Sequence, residues 1–93
     1  MVTALILLNV EHAHIKTVAE RLAELPGVTE VFSVAGKFDL VASVRVPANE
    51  ALADLVTDRM SELPGIVHTE TLIAFRAYSR KDVEAGFSLG GGK

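Results

Sequence analysis

An acid stands between two apolar residues in the stretch Gly36-Lys37-Phe38-Asp39-Leu40, directly before the run from Val41 to Val46. A carboxylate is costly to bury without a partner. Asp39 therefore either pairs with a basic neighbour such as Lys37 or Arg45, or faces a cleft and holds the ammonium of a ligand. Gly36 is free to take a positive φ, closing a turn and leaving backbone N–H groups near the surface. Thr69 and Thr71 stand two apart in an apolar stretch, so in a strand their hydroxyls share one face. β-Propensity alone accounts for the two threonines equally well.

The three histidines are His12, His14 and His68, and there is no cysteine. No His-Glu-x-x-His spacing is present to assemble a zinc site. His12 and His14 read as the solvated start of a helix, and His68 as a polar group on an edge strand. His68 and Glu70 also have the same-face spacing of an acid–base pair. Glu11, Glu20, Glu24, Glu30, Glu50 and Glu62 are scattered, and no Ser-His-Asp order, phosphate loop or redox pair accompanies them. Nothing in these residues specifies an enzyme, a metal site or a cofactor.

The elements that must position these groups come in two similar units. "ELPGV" begins at Glu24 and "ELPGI" at Glu62, 38 positions later. Each follows a helix-like segment and precedes a strand-like one. Val2 to Val10 reads as a strand with apolar residues on both parities. From about Ala13 the spacing becomes helical, with Ile15, Val18, Leu22 and Leu25 on one side, until Pro26-Gly27 stops it. A second strand, Val28 to Val34, turns through Ala35-Gly36-Lys37 into a third, Phe38 to Val46. Pro47 ends that strand and Asn49 is placed to cap a second helix, whose stripe is Leu52, Leu55, Val56, Met60 and Leu63. Pro64-Gly65 repeats the stop, and Ile66 to Phe75 is the fourth strand.

The order β-α-β-β-α-β is the ferredoxin-like arrangement, an α+β fold with a four-stranded antiparallel sheet. Right-handed crossovers put strands one and three in the centre and two and four at the edges, where Glu30, His68 and Glu70 discourage unwanted pairing. Helices cover one face of such a sheet. Alternation divides Ile6 and Leu8 from Leu5 and Leu7, Leu40, Ala42 and Val44 from Val41, and Ile66 and Leu72 from Val67, Ile73 and Phe75. The uncovered face is therefore apolar, and at roughly 25 cal/mol per Å² its burial favours a homodimer through that face. Residues 1–78 form the domain and 79–93 a tail, in which Ser79 or Asp82 caps a helical turn closed by Gly86. Phe87 and Leu89 of that tail are placed to pack on a neighbouring subunit.

The 93 residues suit one small domain. A hydrophobic content of 49% without cysteine exceeds what so short a chain buries alone and fits a reducing compartment. Net charge is -3, and no cluster of Lys and Arg offers a nucleic-acid surface. The apolar opening is too short to span a bilayer and lacks the marks of a signal peptide. A cytoplasmic location is expected, with neither membrane nor direct nucleic-acid contact.

"VAGKFDLVASVRV" followed by "NEALADLVTDRMSELPGIVHTETLIAF" resembles the effector-binding domain of the Lrp/AsnC (leucine-responsive, feast/famine) transcription regulators. The family signature looks like Gly-x-Tyr/Phe-Asp opening strand three and Gly-Val-x-x-Thr-x-Thr in strand four. Here those positions are Gly36, Phe38 and Asp39, then Gly65, Ile66, Thr69 and Thr71. The resemblance covers about residues 1 to 78, and the tail is similar to that of stand-alone members. It implies a dimer through the sheet face, assembly into octameric or decameric rings, and a small effector, usually an amino acid, in clefts between dimers. Carried over by position, the ligand-binding residues are Gly36, Phe38, Asp39, Thr69 and Thr71. Phe38 stands where many members have Tyr, so that hydroxyl's hydrogen bond is missing. Family regulators carry an N-terminal helix-turn-helix, whereas this chain starts at strand one. It is therefore expected to act without binding DNA, free-standing or paired with full-length Lrp/AsnC regulators. The alternative is a small cofactor-free enzyme of the dimeric α+β barrel type, using His68, His14 or Glu70.

Overall fold

A computed structural model describes residues 1–78 and Arg80. The expected tail features at Ser79, Asp82, Gly86, Phe87 and Leu89 lie outside the described residues. Four strands, β1 (Val2–Val10), β2 (Val28–Ser33), β3 (Leu40–Val46) and β4 (Ile66–Ile73), form one sheet in the order β2-β3-β1-β4. All three pairings are antiparallel. The expected α+β ferredoxin-like fold is thus the observed one, with β1 and β3 central.

The first crossover is a short 3₁₀ turn (His12–His14) leading into α1 (Ile15–Ala23). The second is α2 (Asn49–Asp54), continued by a π-helical turn (Leu55–Arg59) and a 3₁₀ turn (Met60–Glu62). Both pack on the face formed by Ala4, Ile6, Leu8, Leu40, Ala42 and Val44, each fully buried. Val18 and Leu22 descend from α1, and Leu52, Leu55, Met60 and Leu63 from the second crossover.

The π turn follows from the spacing of those last four. At about 100° per residue, a regular α-helix would set Arg59 in the middle of the stripe and swing Met60 to its edge. Instead the Met60 N–H donates to the Leu55 carbonyl, five residues back. The wider turn absorbs one residue, so Leu55 and Met60 both reach the core and Arg59 moves to the flank. Asn49 is the first helical residue and not the cap; the cap position is Ala48, and no side chain bonds to the helix start.

The two Pro-Gly stops play matching parts. The Gly27 carbonyl accepts the Arg45 N–H at 2.8 Å, and the Gly65 carbonyl accepts the Glu11 N–H at 2.8 Å. Each glycine thereby fastens its turn to the end of a central strand. Both have positive φ, +92° and +99°. A Cβ would lie 2.7 Å from the Val46 Cγ1 at Gly27 and 2.7 Å from the His14 Cβ at Gly65.

Strand boundaries and one register differ from the alternation pattern. β3 begins at Leu40, not Phe38, because the loop is longer than three residues: the Val34 N–H donates to the Asp39 carbonyl across it. β4 ends at Ile73, and Phe75 is 99% exposed. Within β4, Asn9 pairs with His68 but Val10 with Ile66, so Val67 is an extra residue, a β-bulge. The bulge shifts parity: Ile66 joins the core, and Leu72 falls on the opposite face, paired with Leu5. The expected sharing of a face by Ile66 and Leu72 fails for that reason.

The uncovered face is apolar, as expected. Phe32 pairs with Val41 and Val41 with Leu7, forming one cross-strand row. Leu5 and Leu72 follow in the next, and Leu5, Phe32 and Leu72 remain 40%, 47% and 45% exposed.

Replacing Gly27 or Gly65 with alanine combines a disallowed φ with a steric clash and is expected to cost about 1–3 kcal/mol each. Gly36→Ala, where nothing lies within 4 Å of the added Cβ, should cost less than either. Urea denaturation midpoints of the three variants check the ranking.

Candidate functional site

Asp39 sits at the corner where β1, β2 and β3 meet. Its N–H donates to the Leu8 carbonyl at 2.9 Å and its carbonyl accepts the Val34 N–H at 3.0 Å. Its Oδ2 accepts the Val10 N–H at 2.8 Å. The carboxylate stands in for a backbone carbonyl that the departing loop does not deliver, and a partly buried amide is thereby satisfied. A hydrogen bond to a charged group of this kind contributes about 1.5–3 kcal/mol. Beside it, the Asn9 Nδ2 donates to the Lys37 carbonyl at 2.7 Å, so two side-chain bonds hold the loop over the end of β1.

Neither pairing expected for the Asp39 charge occurs. Among the described residues His14 Nδ1 lies 3.3 Å from Glu11 Oε1, an ion pair only when the imidazole is protonated, and neither Lys37 nor Arg45 reaches Asp39. Asp39 Oδ1 makes no hydrogen bond to any described protein atom. One oxygen is structural and the other is available.

Gly36 lies exposed at the loop tip with φ +125°, as a turn glycine must. Phe38 and Asp39 are half-buried. Thr69 pairs with Leu8 and Thr71 with Ile6, so both threonines are on the helix-covered side, half-buried. Thr69 lines a groove of about 230 Å³ between the end of the second crossover and β4, with Met60, Ser61, Val67 and His68. β1 stands between β3 and β4, which sets the hairpin and the threonines roughly 10 Å apart across the sheet. A single chain therefore brings Gly36, Phe38 and Asp39 together and Thr69 with Thr71, but does not merge the two sets into one pocket.

The histidines stay apart. His14 packs against Gly65, while His68 and Glu70 share the outer face, since they pair with Asn9 and Leu7. No hydrogen bond links them among the described residues. No three His, Cys, Asp or Glu side chains among the described residues cluster as a metal site, and no described helix is long and apolar enough to cross a membrane.

Two parts of the site escape a reading of the sequence. The Val10 N–H carries no side-chain signal. Asn9 is a visible one: a lone amide closing an apolar strand needs a partner.

Residues 3–83 match the Lrp/AsnC ligand binding domain. Among solved structures, TTHA0845 from Thermus thermophilus is 48% identical, with a TM-score of 0.81, covering 86% of this chain and 100% of that one. The uncharacterized HTH-type transcriptional regulator PH1916 of Pyrococcus horikoshii is 40% identical over 60 residues, 64% of this chain and 40% of its own length. The HTH-type transcriptional regulator FL11 of the same organism is 31% identical over 75 residues, 81% of this chain and 49% of its own length. The chain thus spans less than half the length of either of these regulators. With the sheet order, the hairpin and the paired threonines in place, the chain belongs to the Lrp/AsnC ligand-binding domain family.

Proposed function

We propose that this protein is an oligomeric sensor domain serving transcription regulation, and that it binds a small amino-acid effector at the β2–β3 hairpin. The observation that carries the reading is the half-used carboxylate of Asp39. Its Oδ2 is fixed by the Val10 N–H, so the group is held in one orientation, and Oδ1 remains to accept from an ammonium. A pre-positioned acceptor loses little entropy on binding. Gly36 exposes loop backbone beside it, and Phe38 supplies apolar contact. Thr69 and Thr71, across β1 in the same chain, complete the site from a neighbouring copy in an assembled ring. The partners are therefore copies of this chain, in a homodimer built up to an octamer or decamer, and full-length Lrp/AsnC regulators.

The dimer rests on the outer sheet face. Leu5, Phe32 and Leu72 are each about half exposed, in contiguous rows with Leu7 and Val41. Burying a fully exposed side chain of this size contributes about 1.5–3 kcal/mol, so covering the exposed half of each on two such faces supplies the driving force for association.

Leu5→Glu combined with Leu72→Glu puts charge into that interface. Light scattering should report an oligomer for the parent chain and a monomer for the double variant. A monomeric parent would refute the assembly.

Asp39 separates into two functions by substitution. Asp39→Asn keeps an oxygen for the Val10 N–H and removes the charge, whereas Asp39→Ala loses both and should cost about 1–3 kcal/mol in stability. In a thermal-shift panel of the twenty amino acids, at least one should stabilise the parent, by about 2.7 kcal/mol at a hundredfold excess over Kd. That response should vanish in Asp39→Asn although the variant stays folded. A parent that responds to none, or an Asp39→Asn variant that responds as the parent does, would defeat the proposal.

A further inference from the structure

A cleft of about 280 Å³ opens at the other end of β3, where Pro26, Gly27, Arg45, Asp54, Leu55 and Arg59 come together. At ~30 Å³ per water-sized group, it has room for a molecule of roughly nine such groups. It lies about 20 Å from the Asp39 hairpin, the length of the seven-residue strand β3.

Three observations point to a ligand. The first is charge. Arg45, Asp54 and Arg59 line the cleft, yet none forms an ion pair with a described residue, although the chain as a whole is acidic. The second is the π turn. In a regular α-helix Asp54 and Arg59, five apart, would point about 140° away from each other. The additional residue in the Leu55–Arg59 turn brings both to the same flank, so opposite charges border one small cleft without quenching each other. The third is Gly27, which also lines the cleft. Its N–H donates to no described atom.

The geometry points to a second binding site, for a small zwitterion with a carboxylate and an ammonium on one short skeleton. Arg59 takes the carboxylate, for which a guanidinium offers paired donors, with the Gly27 N–H as an additional donor. Asp54 takes the ammonium, and Leu55 contacts the apolar part between them. Arg45 alternates onto the uncovered face of the sheet, since it pairs with Thr3. Its role in the cleft is accordingly an additional positive charge at the rim.

Backbone amide NMR on the full chain tests the site separately from the hairpin. The probes are the twenty amino acids, β-alanine and 4-aminobutyrate, added to the Asp39→Asn protein, with acetate and methylammonium as single-charge controls. The expected result is saturable shifts of the Gly27 and Arg59 amides with at least one zwitterion, while Gly36 and residue 39 stay still. Arg59→Gln and Asp54→Asn should each weaken that binding about tenfold or more, and the controls should bind at least as weakly. Shifts confined to the hairpin, no shifts at all, binding indifferent to both substitutions, or acetate binding as tightly as the zwitterion would each overturn the assignment. Circular dichroism confirms that the variants remain folded, because Arg59 and Asp54 are exposed and contribute little to the core.

Discussion

A sheet of four strands has two faces, and two helices on the same side keep water from only one of them. In this chain the constraint is sharpened by the central strands, which are apolar on both. Ile6, Leu8, Leu40 and Val44 are fully buried under the helices, whereas Leu5 and Phe32 on the reverse stay close to half exposed. Ninety-three residues give too small an interior to absorb all of these side chains. The surplus therefore sits on one continuous surface, and Lys and Glu are absent from its centre, where Val41 and Leu7 pair. Of the polar groups on that face, Glu30, Glu70 and His68 are on the edge strands, where charge deters open-ended strand pairing, while Thr3, Asn9, Ser43 and Arg45 flank the Val41–Leu7 pair on the central strands.

Much of this is legible from the residues alone, because alternation in β1 and β3 is unbroken and the Pro-Gly stops delimit the crossovers. Legibility fails where the count of residues and the period of the element disagree. In β4, Ile66 and Leu72 have equal parity yet face opposite ways, since Val67 is inserted as a bulge. Nothing in the composition of that strand distinguishes Val67 from a regular member. In the second crossover, Leu55 and Met60 are five apart, a distance that suits no α-helix; the apolar stripe is visible, but the π turn that reconciles it is not. At the hairpin, the residue pattern starts the strand too early, because the ordering of Lys37 and Asp39 comes from contacts with β1 that lie 28 and 29 positions away in sequence.

Asp39 illustrates why the chemistry of a site is harder to read than its location. Its position before an apolar strand announces an unusual acid, and by composition the choice lies between a cationic neighbour and a ligand. The actual partner of one oxygen is a backbone N–H at Val10, a group every residue but proline carries and no sequence pattern marks. This structural bond does not compete with a role in binding. It fixes the side-chain torsion that a free surface aspartate would have to freeze on meeting a ligand.

The two units of the chain are built alike but are not equal, and the difference locates the second cleft. Gly27 and Gly65 perform the same task at the ends of β3 and β1. From the first helical residue, 3₁₀ turns included, to the proline of the stop, however, the first unit runs from His12 to Pro26 and the second from Asn49 to Pro64, one residue more. Both crossovers must return along strands of similar length, so the excess has to be stored. The second unit stores it by widening one turn and tightening the next, at Leu55–Arg59 and Met60–Glu62. A widened turn is intrinsically less favourable than an α-helical one and is kept where its altered side-chain directions matter. Here the core accounts for only half of those directions, through Leu55 and Met60. Asp54 and Arg59 are the other half, and they acquire a common cleft with no contact to the core that would explain it.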